Sequence, residues 1–231
     1  LIDFLALTVV AGNVGLQHTS NNARIVCDWA GEKNFPVYAG ASKPLLRQLV
    51  TAEEVHGKTG LDGVDLHDPI CPLQPVHAVP YLIDVLRKAE DASITLCPIG
   101  PLTNIALALS LAPDIARGIK QIVMMGGNYF EAGNITPAAE FNVYVDPHAA
   151  QIVLQSGVPI TILPLDVTHK ACITSARMDI LRQQDNVNGP RLADILQSYE
   201  RFDIQKFGLE GGPLHDPCAI AYAVFPEFFS G

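Results

Sequence analysis

The stretch Ser93-Ile94-Thr95-Leu96-Cys97-Pro98-Ile99-Gly100-Pro101-Leu102-Thr103-Asn104 runs a short apolar strand pattern into a turn, and residues 102–111 continue as a helical pattern. Pro101 suits the first turn of that helix, where a missing N–H removes no intrahelical bond. Ile122-Val123-Met124-Met125 supplies a second apolar strand, which ends on Gly126-Gly127. Strand, helix, strand in this order is the unit of a parallel sheet, because a parallel neighbour is reached only by a crossover.

The same alternation extends outward in both directions. On the N-terminal side, residues 2–10 read as a strand that breaks at Gly12-Asn13, and 20–30 as a helix capped by Ser20 or Asn21. Pro36-Val37-Tyr38 reads as a short strand. Residues 78–89 are the clearest helix, with Val79, Leu82, Ile83 and Leu86 on one face. Between them, residues 40–75 are rich in Gly, Pro and Asp and read as a long loop, a feature that commonly carries function. On the C-terminal side, Asp146 and Pro147 open a helix that Gly157 closes, and 159–165 is the next strand. Helical patterns follow at 176–183, 191–205 and 216–224. The expectation is one α/β domain over 1–231: an open, mostly parallel sheet of Rossmann type with helices on both faces.

Composition narrows the function. Hydrophobic residues are 48% and charged residues 17% of the 231, which allows a sizeable core. A formal net charge of −9 makes nucleic acid a poor partner. No apolar run is long enough to span a membrane, and the N-terminus shows no leader pattern. Cys27, Cys71, Cys97, Cys172 and Cys218 are scattered without a C-x-x-C pair, so free thiols and a cytoplasmic location are expected. The chain opens on Leu1 within an apolar run and ends on Gly231 without a capping tail. Both ends therefore read as cut from something longer. The sequence carries no P-loop, G-x-G-x-x-G, G-x-S-x-G or H-E-x-x-H, which sets aside the enzyme classes those motifs mark.

In open α/β sheets ligands bind beyond the carboxyl ends of the strands. Those positions here hold Asn13, then the 98–104 segment, then Asn128, Asn134, Glu140 and Asn142, then Asp166-Val167-Thr168-His169, then His215-Asp216. Glu140-Phe141-Asn142 alternates polar, apolar, polar. In an extended segment both polar groups would point one way, suited to the vicinal hydroxyls of a sugar. His215-Asp216 sits at a helix start, where Asp216 serves either as a cap or as a cation ligand. His215 beside it has the chemistry of a general acid near neutrality. His56-Gly57, followed by Thr59-Gly60-Leu61-Asp62-Gly63, reads as a polar lid. His77 reads as a cap or packing residue.

Taken together, these segments resemble the inosine-uridine preferring nucleoside hydrolase family. The matching pieces are 8–13, 37–40, 56–63, 98–104, Met125-Gly126-Gly127, Gly133-Asn134, Ala139-Glu140-Phe141-Asn142, Asp146-Pro147 with Ala149-Ala150, and His215-Asp216, in family order. The resemblance implies hydrolysis of the N-ribosidic bond of inosine- or uridine-type ribonucleosides by calcium-activated water. It implies Asp216 and the Ile99 carbonyl as calcium ligands. It implies Asn13, Asn134, Glu140 and Asn142 on the sugar hydroxyls, Met125 against the sugar, and His215 and His56 at the base. Phe207 stands where some relatives carry a tyrosine near the base. A homodimer or homotetramer is implied as well. The family's D-x-D-P-G-x-D-D motif, which supplies most calcium-binding carboxylates and the water-activating aspartate, does not occur in the sequence. The expectation is an enzyme whose N-terminal motif and C-terminal portion lie outside these residues, with little activity left in the 231 alone. The alternative is an inactive nucleoside- or ribose-binding module.

Overall fold

The computed structural model describes residues 2–230, with backbone alone at 199–203, 205 and 206. In chain order the elements are β1 (Leu7–Val9), α1 (Leu16–Trp29), β2 (Val37–Ala39), α2 (Glu53–His56), α3 (Ala78–Lys88), β3 (Ile94–Leu96) and α4 (Thr103–Leu111). There follow β4 (Ile119–Met125), α5 (Phe141–Val145), α6 (Pro147–Leu154), β5 (Ile160–Leu163), α7 (Leu165–Thr168), β6 (Cys172–Ile173), α8 (Ser175–Arg182), α9 (Asn188–Phe207), β7 (Gly212–Pro213) and α10 (His215–Val224).

The strand–helix–strand unit at 93–125 forms as its pattern predicts. β4 lies between β3 and β5, parallel to both, with Leu96 opposite Ile122 and Met125 opposite Leu163. Its side chains alternate between two apolar clusters. Ile119, Ile122 and Met124 pack with α3, α4 and α6, while Val123 and Met125 pack with Leu165, Cys218 and Ala219 of α7 and α10. This alternation is why helices cover both faces of β4. Ile122 and Val123 are both 0% exposed. Burying a side chain of that size stabilises the fold by roughly 1.5–3 kcal/mol.

The sheet itself departs from a single continuous ladder. β1 and β2 form a separate parallel pair, and β6 and β7 a small antiparallel one. Asn104 of α4 stands between the two parallel blocks, donating from Nδ2 to the Val9 carbonyl at 3.0 Å and accepting the Ala41 N–H at 2.8 Å. A side-chain amide thus takes the role a strand ladder would otherwise fill. Gly40 is required beside it, because a Cβ there would fall on the Asn104 carboxamide.

Element ends shift in several places. The strand expected at 2–10 narrows to β1, with Phe4 and Leu5 exposed; Leu1 lies outside the described residues. The helix expected at 20–30 begins at Leu16 with Gly15 as an extended N-cap, so neither Ser20 nor Asn21 caps it. Ser20 is buried inside α1 instead. His77 does cap α3, its Nδ1 accepting the Val79 N–H at 3.2 Å. Asp146 caps α6 through the Ala149 N–H, as its Asp-Pro pair predicts. Among the described residues no helix is long and apolar enough to cross a membrane.

Candidate active site

The loops beyond β1, β3 and β4 are tied to one another. Met125 donates its N–H to the Pro98 carbonyl at 3.0 Å, and the Asn13 carbonyl accepts the Ala52 N–H at 2.8 Å, next to α2. A Cβ on Gly12 would sit 3.1 Å from Pro101 Cδ, so the β1 and β3 loops are in contact. Asn13 therefore enters the same end of the sheet as Ile99 and Met125. Its carboxamide has no hydrogen-bond partner among the described residues. Ile99 has an exposed side chain, and its carbonyl takes part in none of the described backbone hydrogen bonds.

The long loop carries His56 as the last residue of α2. Gly57 follows at φ +75°, and a Cβ there would fall on the Asp62 carboxyl. The turn after His56 can close only on glycine. Asn22 of α1 pins the far side of the loop, donating to the Thr59 carbonyl at 2.7 Å. Burial holds the His56 imidazole below the usual histidine range, with Glu54 opposing the shift.

Glu140-Phe141-Asn142 does not run extended, which corrects the alternation argument. Glu140 is the N-cap of the short helix α5, and the triplet turns there. Glu140 Oε1 accepts the Asn142 N–H at 2.8 Å, and Oε2 accepts those of Gly127 at 2.8 Å and Val143 at 3.2 Å. A carboxylate offers about four lone-pair sites, so at most about one remains for a ligand hydroxyl. Burial nevertheless pushes the Glu140 carboxyl up, outweighing the three N–H donors. Asn142 is 9% exposed and donates from Nδ2 to the Met125 carbonyl at 3.3 Å. Its Oδ1 has no partner among the described residues. Asn134 Oδ1 accepts the Phe141 N–H at 2.8 Å and so braces the same turn.

His215 begins α10, and Thr168 at the end of α7 meets its Nδ1 at 2.7 Å. The His169 ring lies 5.8 Å from the His215 ring and 4.7 Å from Phe207. Phe207 is thus part of this wall, joined to His215 through His169. Burial drives the His215 pKa down to about 4, and His169 and His56 add to the shift. His215 is neutral at pH 7. The shift favours the neutral imidazole, whose single ring N–H can donate a hydrogen bond.

Asp216 is not a helix cap: no side-chain cap bond occurs at α10. Burial and the charge of Glu140 push its carboxyl up to about 7. Other acids of the chain each gather three donors. Asp146 accepts from Leu45, Thr103 and Ala149; Asp28 from Ile70, Cys71 and His67; Asp166 from Tyr129, Phe130 and Glu131. Asp216 accepts from none of the described residues. A donorless carboxylate facing a second one is the arrangement that a hard cation relieves. The fit is one-sided, however. Calcium takes about six to eight oxygens, and no group of three acidic, His or Cys ligands occurs among the described residues.

Sequence reasoning placed Thr168 and His169 at a strand end without roles for them. Their spacing gave no signal, since Thr168 ends and His169 caps a four-residue helix that the 159–165 strand reading did not foresee. Asp166 shapes the rim by gathering the N–H groups of residues 129–131. The five cysteines are free thiols, as expected.

The sequence model described as inosine-uridine preferring nucleoside hydrolase matches residues 1–231. The chain is 49% identical over 230 residues to an uncharacterised Schizosaccharomyces pombe protein, covering 100% of this chain and 74% of that one. It is 45% identical to a pyrimidine-specific ribonucleoside hydrolase, RihA, of Photobacterium profundum, covering 99% and 74%. Among solved structures, a purine-preferring ribonucleoside hydrolase from Gardnerella vaginalis superposes with a TM-score of 0.93 at 32% identity, covering 99% and 73%.

Proposed function

The chain belongs to the inosine-uridine preferring nucleoside hydrolase family, and from that premise we propose that it hydrolyses the N-ribosidic bond of ribonucleosides to ribose and free base, with calcium as its metal. The observation that carries the reading is the donorless Asp216 carboxylate beside Glu140, next in sequence to a histidine held by Thr168. Water adds at C1′ as the bond to the base breaks; the bonding pair leaves with the base, which ends protonated.

The side chains divide the work. The Asn13 carboxamide and Asn142 Oδ1 are open to sugar hydroxyls, while Glu140 and Asn134 also hold α5 by accepting backbone N–H groups through their side-chain oxygens. Met125 supplies an apolar floor, 2% exposed, under Asn142. Neutral His215 donates a hydrogen bond to the base as charge develops on it, a stabilisation of transition-state charge rather than full proton transfer. His56 approaches from the loop. Asp216, through its carboxylate, and Ile99, through its carbonyl, would hold calcium as a minority of its oxygens. The ion, when bound, supplies positive charge beside the sugar hydroxyls and lowers the pKa of nearby water.

Pyrimidine nucleosides such as uridine are the proposed substrates, because RihA, whose name specifies pyrimidines, is at 45% identity and the purine-preferring structure at 32%. Residues 1–231 acting as one domain, a homodimer or homotetramer, and a cytoplasmic location complete the proposal; the free thiols support the last. A ribose-binding module without turnover is the second reading, favoured by the absence of a three-ligand group among the described residues. Ribose release from uridine and inosine by the calcium-loaded protein separates the two. Saturable nucleoside binding with no ribose formed would establish the second and remove the first.

A further inference from the structure

Thr168 is 0% exposed, and its only side-chain hydrogen bond among the described residues is the 2.7 Å contact to His215 Nδ1. A hydroxyl has one hydrogen to give, and a neutral imidazole has one N–H and one bare nitrogen. Two arrangements are possible. If His215 Nδ1 donated, the threonine hydrogen would need an acceptor elsewhere, and none of the described residues provides one. A buried donor left unpaired costs about 1–3 kcal/mol. If the threonine donates to Nδ1, both groups are satisfied, and the ring hydrogen sits on Nε2. That nitrogen has no partner among the described residues and is not sealed from solvent.

We propose that Thr168 is a positioning residue that fixes His215 as the Nε2–H tautomer, so that its single ring hydrogen is presented to the departing base. The helix α7 makes the hydroxyl a rigid reference: Thr168 donates its own N–H to the Pro164 carbonyl at 3.0 Å, and a β-branched side chain has few χ1 choices. The catalytic consequence rests on the nucleoside-hydrolase reading. The tautomer does not, and the experiment measures both.

Histidine 15N chemical shifts in the protein report which ring nitrogen of His215 carries hydrogen, with H215N used to assign the signal. The wild type shows hydrogen on Nε2, and Thr168→Val loses that preference. In calcium-loaded enzyme, T168V lowers kcat on uridine on the order of ten-fold, the equivalent of one hydrogen bond, with KM little changed. Thr168→Ser restores most of the rate. On 4-nitrophenyl riboside, whose leaving group departs without help, T168V stays within about two-fold of wild type. Hydrogen on Nδ1 in the wild type overturns the proposal whatever the kinetics. So does an equal loss on both substrates that serine fails to rescue. If wild type hydrolysed no nucleoside, the reaction would fall, and the nitrogen shifts would still decide the role of Thr168.

Discussion

Replacing Glu140 by Gln tests whether this residue is chiefly a structural brace or chiefly a sugar ligand. Both carboxylate oxygens are engaged: Oε1 by the Asn142 N–H, Oε2 by those of Gly127 and Val143. A glutamine has one carbonyl oxygen. Placed where Oε2 is, it keeps two bonds but turns its NH2 toward the Asn142 N–H, leaving a buried donor unpaired at about 1–3 kcal/mol. The two surviving bonds change from charge-assisted to neutral and lose up to about 1 kcal/mol each. Relief of the repulsion with Asp216 acts in the other direction. The net expectation is a loss of about 2–4 kcal/mol, in a domain whose total is on the order of 5–15 kcal/mol. In metal-free protein, urea unfolding followed by circular dichroism should show an earlier midpoint at unchanged slope. A loss below about 0.5 kcal/mol would rule this out, since a surface-like response is incompatible with a buried carboxylate held by three N–H groups.

Other outcomes follow from the same geometry. Asp216→Asn removes the donorless charge, so the thermal stabilisation that calcium gives wild type, about 2.7 kcal/mol at a hundred times Kd, should vanish in scanning calorimetry. Gly57→Ala forces a side chain onto Asp62 at a positive φ, and should raise KM for uridine several-fold by displacing His56. Ile122→Ala empties a fully buried position in the central strand and should lower unfolding free energy by about 2–5 kcal/mol. Burial, with Cys71, Asp28 and Glu32 nearby, pushes the Cys27 thiol from 9.0 to about 11. The folded pKa lies above the unfolded one, so this stability is whole below pH 9 and lost as pH rises to about 11. Alkaline unfolding midpoints that do not fall across that window in wild type, relative to Cys27→Ala, would contradict it.

The fold was legible wherever a periodic apolar pattern coincided with Gly and Pro punctuation. The 93–125 unit, α3 and α6 are examples, and Asp146 capping α6 was read from an Asp-Pro pair alone. Patterns without such punctuation misled at their ends. The apolar run 2–10 gives a strand only at Leu7–Val9, where β2 supplies a parallel partner. The site was legible as a set of polar residues but not as a division of labour. Alternation in Glu140-Phe141-Asn142 suggested an extended sugar clamp, whereas three N–H donors recruit Glu140 as a helix cap. Two of those donors, Asn142 and Val143, are local, but the third, Gly127, lies thirteen positions away and no local pattern discloses it. Thr168 was invisible for a similar reason: its partner lies 47 residues on. The downward shift of the His215 pKa comes from burial, with His169 and His56 adding to it, which only the assembled chain brings about.

On the proposed reading, the site splits nucleosides by hydrolysis with calcium held at Asp216. Ribose release from uridine, measured in phosphate-free buffer with calcium and again with a calcium chelator, tests it most directly. Free ribose and uracil are expected in equal amounts with calcium, and loss of both with chelator or in Asp216→Asn. Turnover that is indifferent to chelator and to Asp216→Asn, or no ribose from the calcium-loaded protein, would contradict it.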